Sequence, residues 1–228
     1  MNDTSLNLGI IISEPVTAAT DLLLAWFCIY SFLKLKLPSE SKPLLKFWRL
    51  FFLFLGISTA LGGLLHGVKH YMNADISKGM RIGMNLSSIV SSYFLLLASA
   101  EMLDTGNASR KKKVRIFVQI TTILISVITI ANNEFSLIVI YAGVVVLLTI
   151  ILNYLDFKKG EPGAQDVALG FGISLFSIIV FKLHISIHEY FNFNDISHII
   201  MLISLYYVFL GAMAKTRLEE LVGEGSEI

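Results

Sequence analysis

Charge is scarce in this chain. Only 15% of its 228 residues are Asp, Glu, Lys or Arg, against about 25% in an ordinary soluble domain. So little charge does not suit a surface that faces water on every side. What charge there is nearly cancels, at +1 net, which excludes a nucleic-acid partner held by bulk electrostatics. Cysteine is almost absent. Cys28 stands alone, so no disulfide forms within the chain and thiols do not report on compartment. The opening stretch MNDTSLNLGIII lacks a basic n-region and a small-residue cleavage site. The expectation is an uncleaved first segment that stays as an anchor. Internal repeats and low-complexity segments are also missing, which leaves one domain.

What the chain has instead is long apolar runs. Hydrophobic residues make up 55% of it, and the mean hydropathy is +0.72. A helix needs about 20 apolar residues to cross a bilayer. Seven stretches qualify, roughly 15–35, 45–70, 79–103, 114–132, 134–155, 166–188 and 195–214. They are too long and too little alternating for barrel strands. The predicted fold is an all-α seven-transmembrane helix bundle that fills residues 1–228 as one integral membrane domain. A tight turn at Asn132, Asn133 and Glu134 would separate the fourth and fifth spans, and the tail EELVGEGSEI reads as frayed and solvated.

Basic residues orient the bundle. The links after spans 1, 3, 5 and 7 hold fourteen of the 18 Lys and Arg, among them Lys34, Lys46, Arg110 to Lys113, Lys158 and Lys215. The opposite side has Lys69, Lys78, Arg81 and Lys182. This asymmetry puts the N-terminus outside and the C-terminus in the cytoplasm, with a bacterial inner (plasma) membrane as the expected location.

With that orientation all five histidines lie at the outer end. His66 and His70 close span 2, His184 and His188 close span 6, and His198 opens span 7. The acids Glu14 and Asp21 open span 1, and Asp195 opens span 7. Residues three, four or seven apart share a helix face. By that rule Glu14, Thr17 and Asp21 form a stripe; so do Thr59, Gly62 or Gly63, His66 and His70; so do Lys78, Arg81, Asn85, Ser88 and Ser92; and so do Ser174, Ser177, His184 and His188. Ionisable residues at membrane depth usually face the bundle interior or a wet cavity. The expectation is a pocket open to the outside, lined mainly by helices 1, 2, 3, 6 and 7. Helices 4 and 5 read as packing and lipid-facing elements.

Two H-x-x-x-H pairs, His66/His70 and His184/His188, have the spacing that presents two imidazoles to one metal. His70 and His188 lie nearer the surface, so the preferred ligand trio is His66, His184 and His198, with zinc as the expected ion. Asp195 or Asp21 would orient a ligand or act as the base for metal-bound water. The reading is a membrane-embedded metal-dependent hydrolase acting on a lipid-like amide or ester. The competing reading is a non-enzymatic sensor, receptor or small transporter that binds a polar ligand or cation in the same pocket. A haem held by His66 and His198 is a third. Arg81 is either a snorkelling cation or an anion clamp; Asn85 and its neighbouring serines fit interhelical hydrogen bonding.

The layout resembles the superfamily of seven-helix membrane hydrolases that includes alkaline ceramidases and the adiponectin/progestin receptors. His66 near the end of helix 2 and His198 in the first turn of helix 7 carry the resemblance. It implies a zinc ion held by three histidines, one from helix 2 and two from helix 7, on the side of the N-terminus. This chain departs from the pattern. The serine of that family four residues before the helix 2 histidine is Gly62 here, and the position four after His198 is Leu202. Asp75 supplies an acid after helix 2, at a spacing that does not match.

Overall fold

The computed structural model describes residues 5–7, 11–35, 43–101, 108–132, 135–188 and 190–224. A short antiparallel ribbon of β1 (Ser5–Asn7) and β2 (Ile11–Ser13) precedes seven helices. These are α1 (Pro15–Lys34), α2 (Pro43–Val68), α3 (Ala74–Glu101), α4 (Ala108–Asn132), α5 (Phe135–Lys158), α6 (Ala164–Leu183) and α7 (Phe193–Glu224). Each of the seven is long and apolar enough to cross a membrane. Asn133, Glu134 and residues 225–228 lie outside the described residues, and α7 runs on into the acidic tail as far as Glu224.

Six helices pack in a ring. α1 lies against α2, α2 against α3, α3 against α5, α5 against α6, α6 against α7, and α7 back against α1. α4 packs outside the ring on α3, and it buries the smallest share of its span. Backbone contact tightens the α6–α7 seam. A Cβ on Gly170 would stand 2.7 Å from the Ser204 carbonyl oxygen, and one on Gly211 would stand 2.5 Å from that of Gly163. Small residues let helix backbones approach where lipid gives no hydrophobic drive to association.

The ring is solid in one half and hollow in the other. Trp48, Phe51 and Phe52 of α2 meet Phe171 of α6 and Phe209 of α7 edge-on or stacked. Cys28, Leu95, Val145, Val208 and Ala212 complete that plug. Except for Val145 near the middle of α5, these lie toward the helix ends remote from the N-terminus. The other half holds the polar stripes.

The end of α6 differs from the sequence reading. The helix stops at Leu183 and not at 188. His184 takes a left-handed backbone, φ 52°. Its N–H reaches the Phe181 carbonyl, and the N–H of Ile185 reaches that of Val180, at 3.4 and 3.1 Å. This pair of bonds is a Schellman motif, which satisfies the last carbonyls and turns the chain. His188 then sits in a separate bridge with Phe191. The pair His184/His188 therefore does not share a helix face, and the spacing argument for a two-imidazole site on helix 6 falls.

Candidate functional site

The site starts at the first turn of α1. Glu14 has a left-handed backbone, φ 45°, just before Pro15 at the first helical position. Its Oε2 lies 2.8 Å from Nδ1 of His66 in the last turn of α2. The hydrogen bond from His66 holds the Glu14 carboxyl below its ordinary range, helped by the charges of His66 and Lys69 and opposed by partial burial.

Two turns on, Asp21 is buried, 5% exposed, against α2. A Cβ on Gly62 would stand 3.0 Å from its Oδ2. The volume beside Gly62 is thus taken by the Asp21 carboxylate. Its Oδ1 lies 3.4 Å from Nε2 of His198 on α7. The other ring nitrogen, Nδ1, lies 2.9 Å from the Thr20 hydroxyl, which is itself 3.0 Å from the Thr17 carbonyl oxygen.

That hydroxyl has one proton and two acceptors within reach. When it donates to Nδ1 of His198, the Nε2–H faces the Asp21 carboxylate. When it donates to Thr17, Nδ1–H donates to Thr20, and one proton must lie between Nε2 and Asp21. The imidazole stays hydrogen-bonded in both cases, so the Thr20–His198–Asp21 chain accommodates a proton more or less.

Asp195 faces elsewhere. Its Oδ1 accepts from the Thr17 hydroxyl at 2.7 Å, and its Oδ2 accepts from the Asn192 N–H at 2.7 Å. Asn192 Oδ1 in turn accepts from the Asn194 N–H at 2.8 Å. Asp195 thus reaches back to the N-cap N–H as in a capping box, while the Asn192 side chain caps the second N–H of α7. Asp195 is fully buried and clasps α7 to α1, outside the cavity wall.

Between these helices is a cavity of about 590 Å³, within the size range of small-molecule sites. Its head carries Glu14, Asp21, His66, Lys69, Arg81 and His198. Asn85 and Ser88 of α3, Ser58 of α2 and Ser177 of α6 lie further in, among Leu55, Met84, Ile178 and Met201. Helices α1, α2, α3, α6 and α7 form the wall, with Val139 of α5. Leu55 and His66 on α2 are eleven residues apart, so the cavity is about 16 Å deep along that helix.

His184 lines the rim, exposed, with its ring 4.6 Å from that of Phe193. His70 and His188 lie away from the wall, beside Tyr71 and Tyr190. The three nitrogens expected around zinc do not converge. His66 is committed to Glu14 through Nδ1, both ring nitrogens of His198 face α1, and His184 stands apart at the rim. Among the described residues no group of three or more His, Cys, Asp or Glu side chains could hold a metal ion. The donors present therefore do not fit a three-histidine zinc, nor do they place His66 and His198 as a free axial pair for haem.

Thr20, Asn194 and Ser197 are site residues that the sequence reading does not name, and Lys69 enters it only as a charge that orients the bundle. Thr20 shares the Thr17–Asp21 face at three-residue spacing. Lys69 follows His66 by three. Periodicity held both signals.

Residues 16–217 match one family throughout. The chain belongs to the DUF6962 family. That family is described as one of unknown function, and its match reaches into all seven helices and includes every cavity residue except Glu14. No curated protein and no solved structure matches the chain.

Proposed function

We propose that this DUF6962 member is an integral membrane receptor or sensor that binds an amphiphilic ligand in a cavity open at the outer face. The observation that carries this reading is the cavity itself, hollow in one half of the ring and stopped by an aromatic plug in the other. Its composition matches a lipid-like ligand. Polar and ionisable groups gather at the head, and apolar side chains line the depth. The asymmetry of basic residues supports placing that head outside.

Backbone strain points to the same place. Among the described residues only Glu14 and His184 are non-glycine residues with positive φ, and both line the cavity; the Schellman cap of α6 accounts for His184, which leaves Glu14 as the strained residue of the site. Such conformations cost of order 1–3 kcal/mol and cluster at ligand clamps and active sites.

The hydrolase reading needs a metal-bound water or an activated nucleophile. The zinc donors are not assembled, and the Thr20 hydroxyl, though next to His198, is not part of the cavity wall. Transport would favour broken helices at the midplane, and the plug of Trp48, Phe51, Phe52 and Phe171 fills the bundle beyond the cavity.

The test is binding of an environment-sensitive dodecyl probe to the protein in amphipol. Ser88→Trp places an indole in the cavity. Saturable binding that is lost in Ser88→Trp, with the melting temperature retained, supports the reading. Equal binding in both proteins contradicts it.

A further inference from the structure

The carboxylates of the cavity wall have imidazole neighbours, Glu14 with His66 at 2.8 Å and Asp21 with His198 at 3.4 Å. Lys69 acts on Glu14 as well. Arg81 differs. It lines the cavity and makes no hydrogen bond or ion pair with any described residue.

A lone arginine near a helix end ordinarily snorkels to lipid headgroups. The face it occupies on α3 argues for another role. Ser77, Arg81, Met84, Asn85 and Ser88 all line the cavity. Their spacings of three, four and seven describe one helix face. Asn85, one turn beyond Arg81, is fully buried. Arg81 is itself exposed, at the mouth of the cavity, on the α3 face whose deeper residues Met84, Asn85 and Ser88 also line it.

A guanidinium beside a largely apolar wall gains most from an anion that it can hold with two parallel N–H donors. We infer that the cavity takes an amphiphile with an anionic head of the carboxylate or phosphate class, its head on Arg81 and its chain along the apolar wall. A cationic head would meet Arg81 and Lys69 at the opening, where the nearer carboxylate, Glu14, is already hydrogen-bonded to His66. This inference rests on the reading of the cavity as a ligand site and adds the charge of the ligand.

The experiment uses three fluorescent dodecyl probes that differ only in the head: carboxylate, hydroxyl and trimethylammonium. The protein is held in a neutral detergent, as wild type, Arg81→Gln and Arg81→Lys. The expected result is carboxylate binding at least about tenfold tighter than hydroxyl in wild type. That difference disappears in Arg81→Gln, is partly kept in Arg81→Lys, and hydroxyl binding is the same in all three. Inorganic phosphate at millimolar concentration is the competitor that separates a free anion from an amphiphile. Full displacement of the carboxylate probe by phosphate overturns the amphiphile. Equal affinity for the three heads, unchanged in Arg81→Gln, overturns the anionic assignment and leaves the cavity as a ligand site. Failure of all three probes to bind overturns the ligand-site reading itself.

Discussion

The carboxylate of Asp21 occupies the space that a side chain at Gly62 would need. An added Cβ would stand 3.0 Å from Oδ2, tighter than van der Waals contact. Gly62→Ala therefore forces the Asp21 carboxylate, wedged between α2 and the His198 ring, to give by a few tenths of an ångström. The expected cost is about 1–2 kcal/mol of stability. In the double variant Gly62→Ala/Asp21→Ala the clash is gone, so the two changes cost less together than their sum. A melting series in detergent measures this coupling, and strict additivity would show that the two residues do not compete for one volume.

His184 offers a sharp contrast between a ligand and a cap. It sits at the C′ position of α6 with φ 52°, where glycine pays no Cβ penalty. His184→Gly is expected to raise stability by about 1 kcal/mol, read as a higher melting temperature. A fall in melting temperature would mean that the imidazole contributes more than its backbone strain.

Asp195 is expected to be structural. Its two oxygens accept from two donors, Thr17 and Asn192. Asn at this position offers one acceptor and turns an amide N–H toward a donor, leaving one buried bond unmade. Asp195→Asn should cost about 1–3 kcal/mol, with Thr17→Val costing less. The affinity of any cavity probe, measured below the melting transition, should change little in Thr17→Val.

Glu14 gives the acid dependence a direction. The hydrogen bond from His66 holds its folded pKa below the ordinary value, which is about 4.3 for glutamate. A depressed carboxyl contributes stability above the unfolded pKa and loses it as pH falls through the folded value. Glu14→Gln should therefore lower the melting temperature at pH 7, by an amount equivalent to about 1 kcal/mol. The gap from wild type should close as the pH drops below about 4. A gap that widens toward acid would reverse the sign and remove the pair from the account.

The seven helices were legible because lipid exposure demands long apolar runs, and no soluble alternative produces seven of them. Parts of the stripes were legible for a related reason: polar side chains at membrane depth avoid lipid, and a spacing of three or four fixes a face. Glu14 and Asp21, Thr59, Gly62 and His66, Arg81, Asn85 and Ser88, and His198 line the cavity, whereas of the α6 stripe only Ser177 does so from the helix. The end of α6 was not legible. Periodicity continues through His188, while the chain leaves the helix at His184 because two local hydrogen bonds satisfy the last carbonyls there. The role of Asp195 depended on which way α7 is rotated against α1, although Asn192-Phe193-Asn194-Asp195 carries the spacing of a capping box. Thr20 matters only because a hydroxyl of α1 meets Nδ1 of His198, a contact between residues 178 apart in sequence. No local pattern announces such a contact.

The central claim is a cavity that reaches membrane depth from the N-terminal side alone. Ser88 lies fourteen residues into α3, about 21 Å from its start, and lines the cavity. In a Cys28→Ser background, Ser88→Cys is the only thiol. A membrane-impermeant thiol reagent applied to oriented vesicles should label it from the outer face and not from the inner face. The dodecyl carboxylate probe should block the labelling. Ile123→Cys on the lipid-exposed surface of α4, where Ile123 is 62% exposed, should stay unlabelled from both. A Ser88→Cys thiol that reacts from neither face, or that reacts from the inner face, would contradict the account.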